Sequence, residues 1–380
     1  MSPSSLSAAS QRRYEMIGYL EPPMPRNEKS RRNALRRYQP YHTGIDPDLN
    51  RILRLGKLMF SVDATAISLV DSDFVHVTGF NSEPVIIHRG QSTCSHTILV
   101  DVPGEPMVVQ DTREDWRFRN NHTIVRDWGV TFYAGQPLRT SDGFNIGTIC
   151  VIDSQPRTKF TQHERDQLKE LADMVMHELE AQSSQREAAF RESLHSSVEG
   201  FNRAINTGNH TGQQTLSMMI ESIESALTIE GVLCLDVRPC KGSLAKMGQN
   251  PLGKAIGIPI LAASEHAMKN IKEITIDSET LLKALNDQNG ELSHTHGSPT
   301  PEILSRILPP RVGAAATLIT RGSKEPFMVI IAYSSQKCPH FVSPPPIMAY
   351  FRSMGTIVCT VQEKQTLSLA DKAKIDFIAK

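Results

Sequence analysis

From Leu168 onward, apolar residues recur at steps of three and four: Leu168, Leu171, Val175 and Leu179, then, past the polar stretch AQSSQREAA, Phe190, Leu194, Val198, Phe201 and Ile205. That period belongs to a helix. Its start is marked by Glu164 three positions after Thr161, the spacing of a capping box that satisfies the orphan amides of a first turn. Two ordinary helices with a polar join would fit the pattern. A near-continuous connecting helix fits it better, because the stripe is narrow in both halves, the form a helix takes when it pairs with a second copy. In either case the chain is divided. The expected organisation is a disordered tail over 1–27, a first domain over 28–182, a connecting helix and linker over 183–212, a second domain over 213–367, and the start of a dimerisation-type helix over 368–380.

The length of 380 residues suits two domains. Lys plus Arg and Asp plus Glu each total 41, so no net field recruits nucleic acid or an anionic membrane. The six cysteines, Cys94, Cys150, Cys234, Cys240, Cys338 and Cys359, form no CxxC pair and follow no secretory leader, which fits a reduced, cytoplasmic protein. No apolar run approaches the roughly 20 residues of a membrane span.

The Ser-rich and then Pro-rich opening, with its aromatic pair Tyr14 and Tyr19, reads as disordered. EKSRRNALRRY and DPDLNRILRLGKLMF read as helices, with HTGIDP as the turn between them. ATAISLVD, FVHVTGF, MVVQD, TFYAGQPLR and NIGTICVID read as strands, and Asp142-Gly143 in TSDGFN as a hairpin turn. Helices over a sheet make an α+β layer domain. Beyond NTGNHTGQQ the order returns: helix TLSMMIESIESAL, strand EGVLCLDV, loop-rich KGSLAKMGQNPLG and DQNGELSHTHGSPTPE, strands VGAAATLIT and FMVIIAY, then a long helix with Pro at its entry. This suggests a diverged second copy, although no residue-level repeat accompanies it. The final SLADKAKIDFIAK is either a frayed terminal helix or the first turns of a longer one.

The blocks NEKSRRNALRRYQPYHTGIDPDLNRILRLGKLMFSVDATAISLVD, GQSTCSHTI, VVQDTREDWRFRNN, FYAGQPLRTSDGFNIGTICVIDSQPR and FTQHERDQLKELADMVMHELE resemble, in order, the GAF domains that precede histidine kinases and cyclases. The resemblance implies a six-stranded antiparallel sheet with helices on one side, a small-molecule or signal pocket on the other, and a dimerising exit helix. The second domain is then a diverged GAF-like α+β unit. LADKAKIDFIAK is similar to the lead-in to the phosphoacceptor helix of fungal hybrid histidine kinases, whose His-Glu box and ATP-binding domain are absent from this sequence.

Cys94 and His96 in CSH stand close enough for metal binding, nucleophilic attack or a bilin thioether, but one Cys and one His do not close a tetrahedral site. Cys94 therefore reads as a structural cysteine and His96 as a pocket-wall residue at a helix start. Phytochrome-like domains carry an Asp-Ile-Pro signature that is missing here. Cys150, after GTI in an apolar strand, reads as a core hydrophobe. In DTREDWRFRNN, the resemblance makes Asp111, Asp115, Arg117 and Phe118 a folded loop beside the pocket rather than a solvated one, with Arg117 paired to a carboxylate. Tyr133 and Gly135 shape the cavity from the facing strand, while Arg139 and Asp142 organise the hairpin. The Asn-Lys-Phe-Asp-Glu signature of cyclic-nucleotide GAF domains and the GxxxxGK[ST] loop are absent. The histidines of HTHG, from His294, read as solvated.

These readings converge on a non-catalytic sensory or regulatory protein of phosphorelay type. It would need no cofactor or metal, bind an unidentified small ligand, and act as a homodimer or on a kinase partner. The alternative is a cysteine-based GAF enzyme or redox sensor, like the free-methionine-sulfoxide reductases.

Overall fold

The computed structural model describes residues 7–38, 46–79, 83–238, 255–271, 275–277, 291–295, 307–308, 312, 314–321, 326–334 and 344–378. Cys240, Cys338, most of HTGIDP and the end of HTHG lie outside the described residues. The chain divides into two compact units, Met1–Arg186 and Glu187–Lys380. Among the described residues, no helix is long and apolar enough to cross a membrane.

In the first unit, α1 (Ala8–Ile17), α2 (Glu28–Arg36) and α3 (Pro47–Phe60) precede the strands β1 (Ala64–Val70), β2 (Phe74–Gly79) and β3 (Val85–His88). The short α4 (Thr93–Thr97), β4 (Met107–Val109), β5 (Phe132–Arg139) and β6 (Asn145–Asp153) follow, and α5 (Gln162–Thr207) leads out. The strands form one antiparallel sheet in the order β3-β2-β1-β6-β5-β4. Five of the six are readable from alternation. β3 is not, because Val85 and Ile86 lie about half exposed on an edge, without a buried face to impose a pattern.

The sheet's centre is the pairing of β1 with β6, from Ala64 opposite Ile152 to Leu69 opposite Gly147. Gly147 is required there, since a Cβ would stand 1.9 Å from the backbone oxygen of Ser68. The β5–β6 hairpin closes as the Asp-Gly pair suggests, with Gly143 at φ +87° and its amide donating to Thr140 O at 2.8 Å. One face of the sheet carries Phe132, Ala134, Leu138, Ile149 and Val151 against Leu35 of α2, Leu53 of α3 and Leu168, Leu171, Val175 and Leu179 of α5. The opposite face carries Val75, Tyr133 and Cys150 beneath Cys94 and Ile98.

Residues 7–27 do not behave as a free tail. Helix α1 is capped by Ser7 and ended by Gly18 at φ +83°. Leu20 is buried, its amide donating to Arg117 O at 3.0 Å. The low local hydrophobicity that suggested disorder is offset by contacts to residues about a hundred positions away, which no local pattern encodes.

A buried ion cluster joins α2 to the sheet. Arg31 Nε and Nη2 donate to Glu28 at 2.8 Å, Arg89 Nη1 donates to Glu28 at 2.6 Å, and the two guanidiniums are 1% and 3% exposed. Arg31 also donates to Val70 O and Arg89 to Asp71 O, tying the cluster to the end of β1. Burial disfavours the Glu28 carboxylate, but the two arginines outweigh it and hold its pKa below the usual range.

In the second unit, the part of α5 from Glu187 on and α6 (Gly212–Leu227) precede β7 (Gly231–Asp236), β8 (Ala255–Gly257), β9 (Ile260–Ala263), α7 (Glu265–Asn270), β10 (Thr275–Asp277), β11 (Glu291–Thr295), β12 (Ala314–Arg321) and β13 (Pro326–Ser334). α8 (Pro344–Ile378) completes it. The main sheet runs β11-β12-β13-β7-β9, again antiparallel. Its first strand lies between the second strand of the sheet and the last, as β1 lies between β2 and β6, so the second sheet repeats the strand order of the first without its outer edge strand. Leu194, Phe201 and Ile205 of α5 pack with Leu216, Met219 and Ile223 of α6 and Phe351, Met354 and Val358 of α8 over Cys234 and Ile330. Past Gln365, α8 continues with every side chain to Lys374 exposed, including Leu367 and Leu369.

The polar stretch does not break α5. Leu168, Leu171, Val175 and Leu179 are buried in the first unit's core, and Leu194, Phe201 and Ile205 in the second's. The narrow stripe is thus accounted for within one chain, and its spacing no longer argues for a second copy.

Two stability tests follow from these packings. Gly147→Ala is expected to lose about 3 kcal/mol in urea unfolding, because the clash is with backbone. Glu28→Gln, which strands two buried guanidiniums, is expected to cost a similar amount, about 3 kcal/mol; an unchanged midpoint and slope for either variant would contradict the packing described.

Candidate functional site

The five-residue helix α4 follows β3 through a tight turn at Arg89–Gln91, and Ser92 Oγ accepts from the Cys94 amide at 3.1 Å to start it. This places Cys94 and His96 over the sheet face that carries Tyr133 and Cys150. Tyr133 is fully buried; its hydroxyl hydrogen-bonds Thr97 Oγ1 at 2.8 Å and lies 3.6 Å from Cys94 Sγ. Gly135 lies under the ring, where a Cβ would come within 2.2 Å of the Tyr133 oxygen. The glycine provides the room that the phenol fills.

His96 Nε2 donates to Leu20 O at 2.9 Å, which fixes the proton on Nε2, and its ring meets Phe118 edge-on at 5.1 Å. Burial, with the Arg117 charge nearby, lowers the His96 pKa to about 4. His96 is therefore a neutral latch holding the N-terminal segment. Beside it, Tyr14 packs edge-on against Trp116 at 5.7 Å and its hydroxyl donates to Trp116 O, while Asn120 Nδ2 donates to Gly18 O at 3.0 Å.

The loop after β4 is folded by its own side chains. Arg117 donates from Nε and Nη2 to Asp115 at 2.9 and 2.7 Å, and its guanidinium lies over the Phe118 ring at 4.9 Å. Burial acts against ionisation of Asp115, but the Arg117 hydrogen bonds prevail and its pKa is lowered. Asp111 makes the same turn with Arg113, at 2.9 and 2.6 Å, away from the buried cluster. Arg139 reaches Asn145 at 3.3 Å, and Asp142 pairs with Arg37 at 2.6 Å, both at the hairpin.

The structure thus brings Cys94, His96, Phe118, Tyr133 and Gly135 together, sets Asp115 at their rim and leaves Asp111 aside. The face is packed with side chains. Beside it opens a cleft of about 1230 Å³, walled by the N-terminal segment, by His96 and the end of α4, by Asp115–Arg117 and by the β5–β6 hairpin. Sequence patterns did not single out Thr97, Ser68 or Thr148. Ser68 and Thr148 hydroxyls meet at 2.9 Å beneath α4, polar residues hidden in strands that read as apolar runs. With Cys150 and Tyr133 they direct donors at Cys94, and the Cys150 hydrogen bond contributes most to lowering the Cys94 pKa; Cys150 itself is pushed well up. Three carboxylates, Asp46, Asp48 and Glu178, also stand together near the start of α3, and Gln182 donates to Asp46 at 2.8 Å.

His96 generates a pH test. Its folded pKa of about 4 lies below its unfolded value near 6.5, so its contribution is complete above pH ~6.5 and is lost as pH falls toward 4. Up to about 3 kcal/mol is expected over that window, a slope His96→Gln should remove; an equal slope in that variant would refute the neutral latch.

Residues 46–179 match the family model described as GAF domain. A cyclic di-GMP phosphodiesterase of Pseudomonas aeruginosa is 31% identical over 158 residues, which is 41% of this chain and 26% of that protein. The chain therefore spans about a quarter of this relative's length. Among solved structures, a bacteriophytochrome of R. palustris aligns over 81% of this chain and 64% of its own, at 9% identity and TM-score 0.48. The GAF domain of a putative sensor histidine kinase from Pseudomonas syringae pv. tomato aligns over 51% of this chain and 98% of its own, at 12% identity and TM-score 0.32. Sheet order, α4-side cluster and family match together make residues 46–179 a GAF domain.

Proposed function

We propose that the chain is a non-catalytic sensory or regulatory protein whose GAF domain responds to a small ligand on its α4 side and passes the state on through α5. The observation that carries this reading is α5 itself. Its first turns pack on the helical face of the GAF sheet, and the same unbroken helix supplies Leu194, Phe201 and Ile205 to the second core. A ligand moves such a helix only by its difference in affinity between two arrangements, typically about 1–3 kcal/mol. The second unit is a diverged GAF-like partner in that relay. We place the protein in phosphorelay-type signalling, acting as a homodimer or on a kinase partner, and retain the likeness of its last residues to fungal hybrid kinases as part of the proposal. The reading is supported by a site in which Asp115 is paired with Arg117 and Cys94 is buried, which favours structure over turnover.

One observation favours a second reading, a thiol redox sensor or a cysteine-based reductase. Cys94 and Cys150 share one buried cluster in which hydroxyl and thiol donors converge on Cys94. Cys94→Ser separates the two. For a ligand sensor, native mass spectrometry of the full chain should show the same bound small molecule and light scattering the same oligomer in both forms. Thiol-dependent reduction of free methionine sulfoxide by the wild type, lost in Cys94→Ser, would overturn the first reading.

A further inference from the structure

The cleft beside α4 is bordered by four arginines, Arg26, Arg31, Arg117 and Arg139, and two aspartates, Asp101 and Asp115. Arg31 is committed to Glu28, and Arg117 to Asp115. Arg139 donates only to the neutral Asn145 amide, and Arg26 has no carboxylate partner among the described residues. The two arginines border the cleft from different sides, Arg26 on the N-terminal segment that Leu20 anchors and Arg139 at the end of β5. The lining mixes polar groups with apolar Leu20, Met24 and Ile98 and the aromatic Trp116. His96 stays neutral there and adds no charge. The volume of about 1230 Å³ exceeds the roughly 300–1,000 Å³ of ordinary small-ligand pockets, which suits an open site for an extended molecule.

We propose that this cleft binds a small organic anion, an apolar or aromatic body carrying at least one sulfonate, carboxylate or phosphate, with Arg26 and Arg139 offering charge to the acid from either side and Trp116 lining the body. Two cations without acidic partners among the described residues, in a cleft that also offers Leu20, Ile98 and Trp116, give an amphiphilic anion both its contacts without breaking an existing ion pair. The cleft wall from Leu20 to Asn27 belongs to the N-terminal segment, so occupancy ties that segment to α4. The proposal names the ligand class for the sensor suggested above and rests on that reading for its purpose, though not for binding itself.

The test uses the full chain with 8-anilinonaphthalene-1-sulfonate as probe and N-phenyl-1-naphthylamine, the same apolar body without the acid, as control. Trp116 and Trp128 are the two tryptophans of the sequence. Trp128 is 45% exposed and outside the cleft, so Trp128→Phe leaves Trp116 as the only donor for energy transfer. We expect one binding site for the sulfonate with transfer from Trp116, and about a fivefold or greater loss of affinity in the Arg26→Gln/Arg139→Gln variant. The uncharged control should bind more weakly and be indifferent to that double substitution. Equal binding of the two probes, sulfonate affinity unchanged in the double variant, or no transfer from Trp116 would overturn the proposal. Hydrogen exchange across 162–207 with and without the sulfonate tests the sensor reading separately: binding without any change in exchange leaves the site standing and removes its relay.

Discussion

Everything in the first unit depends on the pairing of β1 with β6, strands separated by most of the domain's sequence. Long-range pairing is entropically expensive to close, and it is secured here by a backbone approach that only Gly147 permits and by the Ser68–Thr148 hydrogen bond across the same pair. Once those strands are in register, alternation assigns every side chain to a face. Phe132, Ala134 and Val151 turn to the helices, while Tyr133 and Cys150 turn to α4. The site is thus a by-product of register.

The two faces are then finished by different means. The helical side is sealed by apolar packing and by the Glu28–Arg31–Arg89 cluster, which clamps α2 onto the end of β1. The α4 side has a helix of only five residues, too short to hold itself by propensity, and is secured by the apolar cluster around Cys94, Ile98, Phe118 and Tyr133 together with hydrogen bonds at Ser92, Thr97 and His96. Both faces are therefore packed cores, joined by the strands that separate them.

Much of this was legible in the amino-acid sequence because it is local. The Thr161–Glu164 box, the Asp142–Gly143 turn and the alternation of β1, β5 and β6 each declare themselves within a few residues. The resemblance of the CSH and DTREDWRF blocks led to Cys94, His96, Asp115 and Phe118, which the structure groups on and beside one face. What escaped was non-local. The docking of Leu20 and Tyr14 on residues 96, 116 and 117 leaves no periodic trace. Nor could the stripe of α5 reveal that its two halves are buried in two different cores, since a helix facing its own domain and one facing a twin present the same period.

The far end of α8 has a consequence of its own. Up to Cys359 the helix is fastened by buried Ile347, Phe351, Met354 and Val358, while from Thr366 to Lys374 no side chain is covered. A helix nucleates at a cost and extends cheaply, so these outer turns borrow their order from the anchored ones. The extension therefore has no melting transition of its own. Anything that loosens Phe351 or Met354 is therefore felt along these turns as well, although they touch neither residue's pocket.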